Sequence, residues 1–215
     1  MEITAEMVKG LRERSGAGIM ECKSALAEAQ GDPEQALQIL RKRGLAGAVK
    51  RSGRTTSEGV VSSYIHPGGR VGVMLEVNCE TDFVARTAEF QEMVKNLAMH
   101  IAASQPRFLA REDVPEPVLA SEREIYTAQA RSTGRPEAAL AKIVEGKMGK
   151  FFQESCLMEQ PYVRDPAVTV KDYVTAVIAK TGENIRVRRF TRYALGEAVP
   201  GEAEKTSPGG GVEPA

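Results

Sequence analysis

The sequence contains no stretch of about 18 consecutive apolar residues, so no membrane span is expected. It also lacks net charge, because 29 Lys and Arg balance 29 Asp and Glu. A chain whose main partner is nucleic acid is usually more basic. The balance therefore favours a protein or small-molecule partner, and no direct nucleic-acid contact is expected. Cysteine is scarce: Cys22, Cys79 and Cys156 are odd in number and widely separated. That suits a reducing cytosol better than a disulfide framework, so a cytoplasmic location is expected. Met1-Glu2-Ile3-Thr4 has neither a basic start nor an apolar stretch, and no signal peptide is expected. Histidine is rarer still, and neither His66 nor His100 has a nearby cysteine at metal spacing. There is no GxxxxGK[ST] run, and Gly209-Gly210-Gly211 has no preceding strand or following helix to make a phosphate loop. With no triad, metal cluster or paired catalytic carboxylates, an enzyme is not expected, nor any cofactor.

What is present is an ordinary globular composition, 42% hydrophobic over 215 residues, enough for a medium domain plus a small one. Residues 1–50 read as three short helices. Thr4 opens the first and Ser15-Gly16-Ala17-Gly18 breaks it. The second carries Cys22, Leu26 and Ala29 on one side and stops at Gly31. The third starts at Asp32-Pro33 and has Gly44 near its end. Helices this short are marginal alone and must pack together as a bundle. Residues 51–58, small, polar and basic, read as a linker. An α+β core is expected over 59–195. A hairpin pairs Val60–Ile65 with Val71–Val77 around Pro67-Gly68-Gly69. A helix through Phe90, Met93, Val94, Leu97 and Ile101 stops by Gln105, before Pro106. Two further helical stretches, broken at Thr133–Pro136, lead to an extended segment at Gln160–Pro166. A helix capped by Thr169 and stopped by Gly182 follows, then a third antiparallel strand over Asn184–Leu195. The alternation of that strand slips at Arg188-Arg189, which predicts a bulge. Residues 196–215, rich in Gly, Pro and Glu, are expected to be disordered.

The most informative segment is Asn78–Arg86. It places the acidic and aromatic run Thr81-Asp82-Phe83-Val84-Ala85-Arg86 where a strand ends and a helix begins. The residues alone leave two readings of Phe83: an aromatic plug of the corner, or an exposed wedge for a partner's pocket. Burying a Phe side chain is worth roughly 1.5–3 kcal/mol, so an exposed one is a natural interface anchor. Asp82 is either the N-cap of the following turn or a charge presented outward. Thr81 is a second candidate cap, Val84 packs inward or frames the pair, and Arg86 reads as a solvated or ion-paired arginine.

The Thr81–Arg86 run resembles the signature of the elongation factor Ts family, the guanine-nucleotide exchange factors of bacterial and organellar elongation factor Tu. Val8–Leu26 is similar to the family's N-terminal pattern, and Asn184–Phe190 to its closing strand. These three anchors fall in the family's order along nearly the whole chain. Gly10, Ile19 and Ser24 depart from the commoner residues, and Gly10 should cost about 1 kcal/mol against alanine within a helix. The resemblance is to the short form, without a duplicated core, and it leaves open a homodimer in which a second copy replaces the missing half. It implies an N-terminal bundle of the ubiquitin-associated type. It further implies binding to elongation factor Tu, both GDP-loaded and nucleotide-free, and GDP release through disturbance of the magnesium and phosphate site. Thr81, Asp82, Phe83 and Val84 would act on that site, and Lys9, Ile19, Met20 and Lys23 would dock the bundle on the partner. Ile19 and Met20 are adjacent and point about 100° apart on a helix, so one of them is expected to turn outward.

Two other classes compete. An RNA- or ribosome-binding module would use Arg186, Arg188, Arg189 and Arg192, with Phe190 and Tyr193 as stacking platforms. A ubiquitin-associated adaptor would recognise its partner through the bundle alone.

Overall fold

The computed structural model describes residues 3–132 and 136–197. Three helices open the chain: α1 (Ala5–Ser15), α2 (Ile19–Glu28) and α3 (Pro33–Arg51). The Thr4 hydroxyl accepts from the Met7 amide, and Asp32 accepts from the Glu34 and Gln35 amides at 2.8 and 3.0 Å, so both predicted caps are made. Val8, Leu11, Cys22, Ala25, Leu26, Ala29, Ala36 and Leu40 form a buried cluster of their own. This burial supplies the stability that helices of 10 or 11 residues lack alone. α3 does not stop near Gly44 as its sequence suggests; it continues to Arg51. The reason is tertiary: its second half lies on α8 (Val170–Thr181), where Ala48 joins the main core. Regular structure resumes at Glu58.

The remaining elements are β1 (Glu58–Ile65), β2 (Val71–Cys79), α4 (Asp82–Ala85), α5 (Ala88–Ser104), α6 (Glu116–Arg131), α7 (Glu137–Ser155), β3 (Pro161–Tyr162), β4 (Asp165–Thr169), α8 and β5 (Ile185–Ala194). The protein is therefore of the α+β class. Its main sheet is antiparallel in the order β1-β2-β5. Val73, Leu75, Val77 and Cys79 of β2, with Ile185 and Val187 of β5, face Phe90, Met93, Val94, Leu97 and Ile101 of α5. Val170, Val174, Val177 and Ile178 of α8 complete this core. The slip in β5 is a bulge: Glu76 pairs with Arg189 and Val77 with Val187, leaving Arg188 as the extra residue. It resets the alternation, so that Phe190 and Arg192, opposite Leu75 and Val73, point inward like Val187.

The extended segment at 160–166 pairs into a second, two-stranded sheet of β3 and β4, which the sequence did not suggest. α6 packs along α7, and Val114, Met148, Phe151 and Cys156 make a third small cluster. The break expected at Thr133–Pro136 falls mostly on residues 133–135, and the disordered tail on 198–215, both outside the described residues. Among the described residues no helix is long and apolar enough to cross a membrane.

Two positions yield predictions. Gly59 pairs with Asn78 at φ +143°, and a Cβ there would stand 2.2 Å from the Val77 carbonyl oxygen. Backbone must move to admit it, so Gly59→Ala should lower unfolding free energy by about 2 kcal/mol or more in denaturant titration. His100 is fully buried. Its Nδ1 accepts from the Val163 amide at 3.2 Å, while Nε2 lies 2.9 Å from the Gln160 carboxamide oxygen. Nε2 thus carries the proton, and the ring is neutral. Burial, the main cause, holds its pKa below the ordinary 6.5, against the opposing effect of the hydrogen bond donated to Gln160. In the unfolded chain the ring takes a proton near 6.5, and in the folded chain only at lower pH. The unfolded state therefore binds more protons in that window, and stability is lost as pH falls below about 6.5. Melting curves between pH 7 and pH 5 should show this slope in the parent and a flatter one in His100→Gln.

Candidate functional site

β2 ends because Cys79 is its last inward side chain, and α5 begins three residues after the short α4. The chain must cross from sheet to helix through 80–87. Thr81 is the N-cap of α4: its hydroxyl accepts from the Val84 amide at 3.4 Å. The cap therefore belongs to Thr81, and Asp82 is the first helical residue. Ala85 is buried and Val84 packs on the core, which leaves Phe83 pointing away, with 79% of its surface exposed. The aromatic-plug reading is thereby excluded.

The ends of the turn are tied down. Thr87 caps α5 by accepting from the Phe90 amide at 3.3 Å, and its hydroxyl donates to the Val84 carbonyl at 2.8 Å. The Gln91 carboxamide donates to the Ala85 carbonyl. On the other side, Glu183 accepts from the Thr81 amide at 3.0 Å and from the Thr81 hydroxyl at 2.6 Å. Glu80 accepts from the Asn184 amide at 2.6 Å and from Arg54 at 3.3 Å. The Asn184 N–H, the largest influence, holds the Glu80 carboxyl below the usual carboxylate range; burial opposes it and Arg54 assists. The Asn184 carboxamide donates in turn to the Arg54 and Ser52 carbonyls. Beneath the turn the Cys79 thiol donates to the Thr81 carbonyl at 3.1 Å. Burial, aided by the nearby Glu183 carboxylate, pushes it up to about 11, which leaves it an inert thiol at neutral pH. The Asp82 carboxylate meets the Arg86 guanidinium at 2.8 Å, and both side chains are exposed. Such a pair contributes little stability and opens readily.

The other predicted site residues lie on the bundle. Ile19 and Met20 are both exposed, at 60% and 75%, rather than one of the two. Both stand on the opening turn of α2, one turn ahead of Cys22, the first residue of that helix to enter the bundle core. Lys9 lies 4.0 Å from Glu13, and Lys23 is exposed. Phe83 is thus presented at the corner, beside the half-buried Thr81 and Val84 and the Asp82–Arg86 pair, whereas Lys9 lies on α1 and Ile19, Met20 and Lys23 on α2. In the arginine strand, Arg189 pairs with Glu76 at 2.7 Å, and Arg192, turned inward, pairs with Glu197. Arg186 and Arg188 are exposed.

Sequence reasoning missed Glu80, Glu183, Asn184 and Arg54 as members of the site. Glu183 meets Thr81 across 102 residues, and no local pattern signals such a pairing.

Fold and site together describe an α+β protein that presents a braced acidic and aromatic tip. Among its described residues no group of three or more His, Cys, Asp or Glu could hold a metal. Comparison with known proteins gives the family. The family model described as "Elongation factor TS" matches residues 44–197. The chain is 55% identical over 202 residues to elongation factor Ts of Carboxydothermus hydrogenoformans, covering 94% of this chain and 93% of that one. It is 58% identical over 197 residues to elongation factor Ts of Moorella thermoacetica, covering 92% and 97%. The chain belongs to the elongation factor Ts family, and its class is that of the translation elongation factors.

The two phenylalanines of the corner make a direct check of its geometry. Phe83→Ala should change unfolding free energy by no more than about 0.5 kcal/mol, as at an exposed site. Phe90→Ala, which empties a fully buried position, should cost about 3–5 kcal/mol.

Proposed function

We propose that this chain is a guanine-nucleotide exchange factor that binds GDP-loaded elongation factor Tu and promotes GDP release. The observation that carries the reading is the outward Phe83, presented on a corner whose flanks are held by hydrogen bonds and burial. Membership of the family supplies the partner. Phe83 acts as the wedge and Asp82 as the charge, with Thr81 and Val84 framing them. Magnesium demands a near-ideal octahedron, so a carboxylate brought close to its ligands loosens it disproportionately. The exposed Arg86 can release Asp82 at little cost when the partner arrives. Exchange follows from linkage: whatever factor by which the protein weakens GDP binding, GDP weakens its own binding equally.

The bundle, residues 1–50, is the second docking element, of the ubiquitin-associated type. It engages the partner's nucleotide domain through Ile19, Met20, Lys9 and Lys23; the exposure of both apolar residues supports this role. Residues 51–58 link it to the core at 59–195. A homodimer is supported by the outer face of the main sheet, where Val61, Ile65, Met74 and Tyr193 are exposed together. The protein works in the cytoplasm by binding, with no catalytic step of its own. The RNA-binding reading gains no support, since two of its four arginines are already engaged by carboxylates.

Release of labelled GDP from purified elongation factor Tu tests the proposal. The parent should accelerate release strongly. Phe83→Ala should lose about 10- to 100-fold of that rate, the worth of one buried phenylalanine ring. Asp82→Ala should lose less. No acceleration by the parent, or a Phe83→Ala variant as fast as the parent, would refute the wedge.

A further inference from the structure

We propose that Glu183 is a positioning residue for the Asp82–Phe83 tip, acting through Thr81; this rests on the exchange reading above. α4 has four residues, too few to hold their own direction, and Phe83 itself is not fixed by burial. The far end of α4 is held by Thr87, Gln91 and the burial of Ala85, so the direction of its first residues is set by what holds Thr81. One carboxylate takes both donors of that residue: Glu183 Oε2 the amide, and Oε1 the hydroxyl, at the short distance of a charge-assisted hydrogen bond. A threonine hydroxyl has a single proton. Giving it to Glu183 turns the oxygen lone pairs toward the Val84 amide, which is the cap of α4. Without the carboxylate the hydroxyl turns freely, and both the cap and the exit angle of the tip are lost.

Glu183 is itself well placed to act as a fixed point. Gly182, at φ +76°, closes α8 in the left-handed conformation and throws Glu183 across toward β2. Asn184 is clamped by Glu80 on its amide and by the Ser52 and Arg54 carbonyls on its side chain. The apolar base of the corner, Cys79, Ala85 and Phe90, belongs to the main core with β2, α5 and α8. The carboxylate thus governs the part of the turn that burial leaves undetermined.

The test uses the full-length chain in the GDP-release assay, with Glu183→Gln, Phe83→Ala and the double variant. Glu183→Gln keeps the shape and removes the charge. The maximal release rate should fall about tenfold, the scale of a charge-assisted hydrogen bond, with the half-saturating concentration nearly unchanged. In the Phe83→Ala background it should cause no further fall, because nothing remains to be aimed. Equal falls in both backgrounds would mark Glu183 as merely structural and overturn the proposal. Amide hydrogen exchange of the unbound protein gives a readout independent of activity. Thr81 and Val84 should exchange faster in Glu183→Gln while Phe90 and Leu97 keep their protection, and unchanged protection at Thr81 and Val84 would also overturn it. Should Glu183→Gln fail to fold, Glu183→Asp, with the charge withdrawn by one methylene, carries the same measurements. An inactive parent would sink the exchange reading and the positioning role with it. An active parent matched by Glu183→Gln would sink the positioning role alone.

Discussion

The corner and the core beneath it depend on the inner face of β2 pressing against α5. Leu75, Val77 and Cys79 are fully buried there, as are Phe90, Met93 and Leu97 opposite them. Because both ends of the crossing are sealed into one core, the connecting residues have no freedom to retreat into it. Ala85 and Val84 take the last inward places, and the side chain between Asp82 and Val84 has to face solvent. The exposure of Phe83 is thus a consequence of apolar burial on either side of it. Nearly 80% exposure is an unusual state for a phenylalanine in a stable protein, since aromatic rings are mostly buried.

Burial fixes where the corner sits, and carboxylates fix how it is oriented. Glu80 and Glu183 cross: the acid before α4 holds the amide after α8, and the acid after α8 holds the amide before α4. Both bonds join an ionised acceptor to a backbone donor, the stronger kind of protein hydrogen bond. The Asn184 side chain adds the segment that follows α3, so three distant stretches of chain meet within a few residues. The bulge at Arg188 serves the same end. It lets β5 bring Ile185 and Val187 inward near this junction and still keep Phe190 inward farther along.

Much of this was legible in the sequence, and the reason is local. The caps at Thr4, Asp32 and Thr169, the stop at Gly182, the hairpin around Pro67-Gly68-Gly69 and the slip at Arg188-Arg189 are written within a few residues of where they act. The position of the candidate site was legible in the same sense: Thr81–Val84 stand where the pattern changes from alternation to helical spacing. What escaped was non-local. The extension of α3 past Gly44 depends on α8, some 130 residues later, and the sheet of β3 and β4 depends on a pairing too short to show as a period. The exposure of both Ile19 and Met20 follows from where α2 enters the bundle, which spacing alone does not reveal. The hold of Glu183 on Thr81 is a single contact between residues with no shared pattern.

α3 belongs to two bodies at once. Its first half supplies Ala36 and Leu40 to the bundle, and its second half lies on α8 with Ala48 in the main core. Nineteen unbroken helical residues make a rod of about 28 Å, and rods of that kind bend only gently. The connector leaving it is pinned by Asn184 to the very junction that carries the tip. The bundle that carries the exposed Ile19 and Met20 and the corner that carries Phe83 are therefore joined through one continuous helix and the connector that follows it.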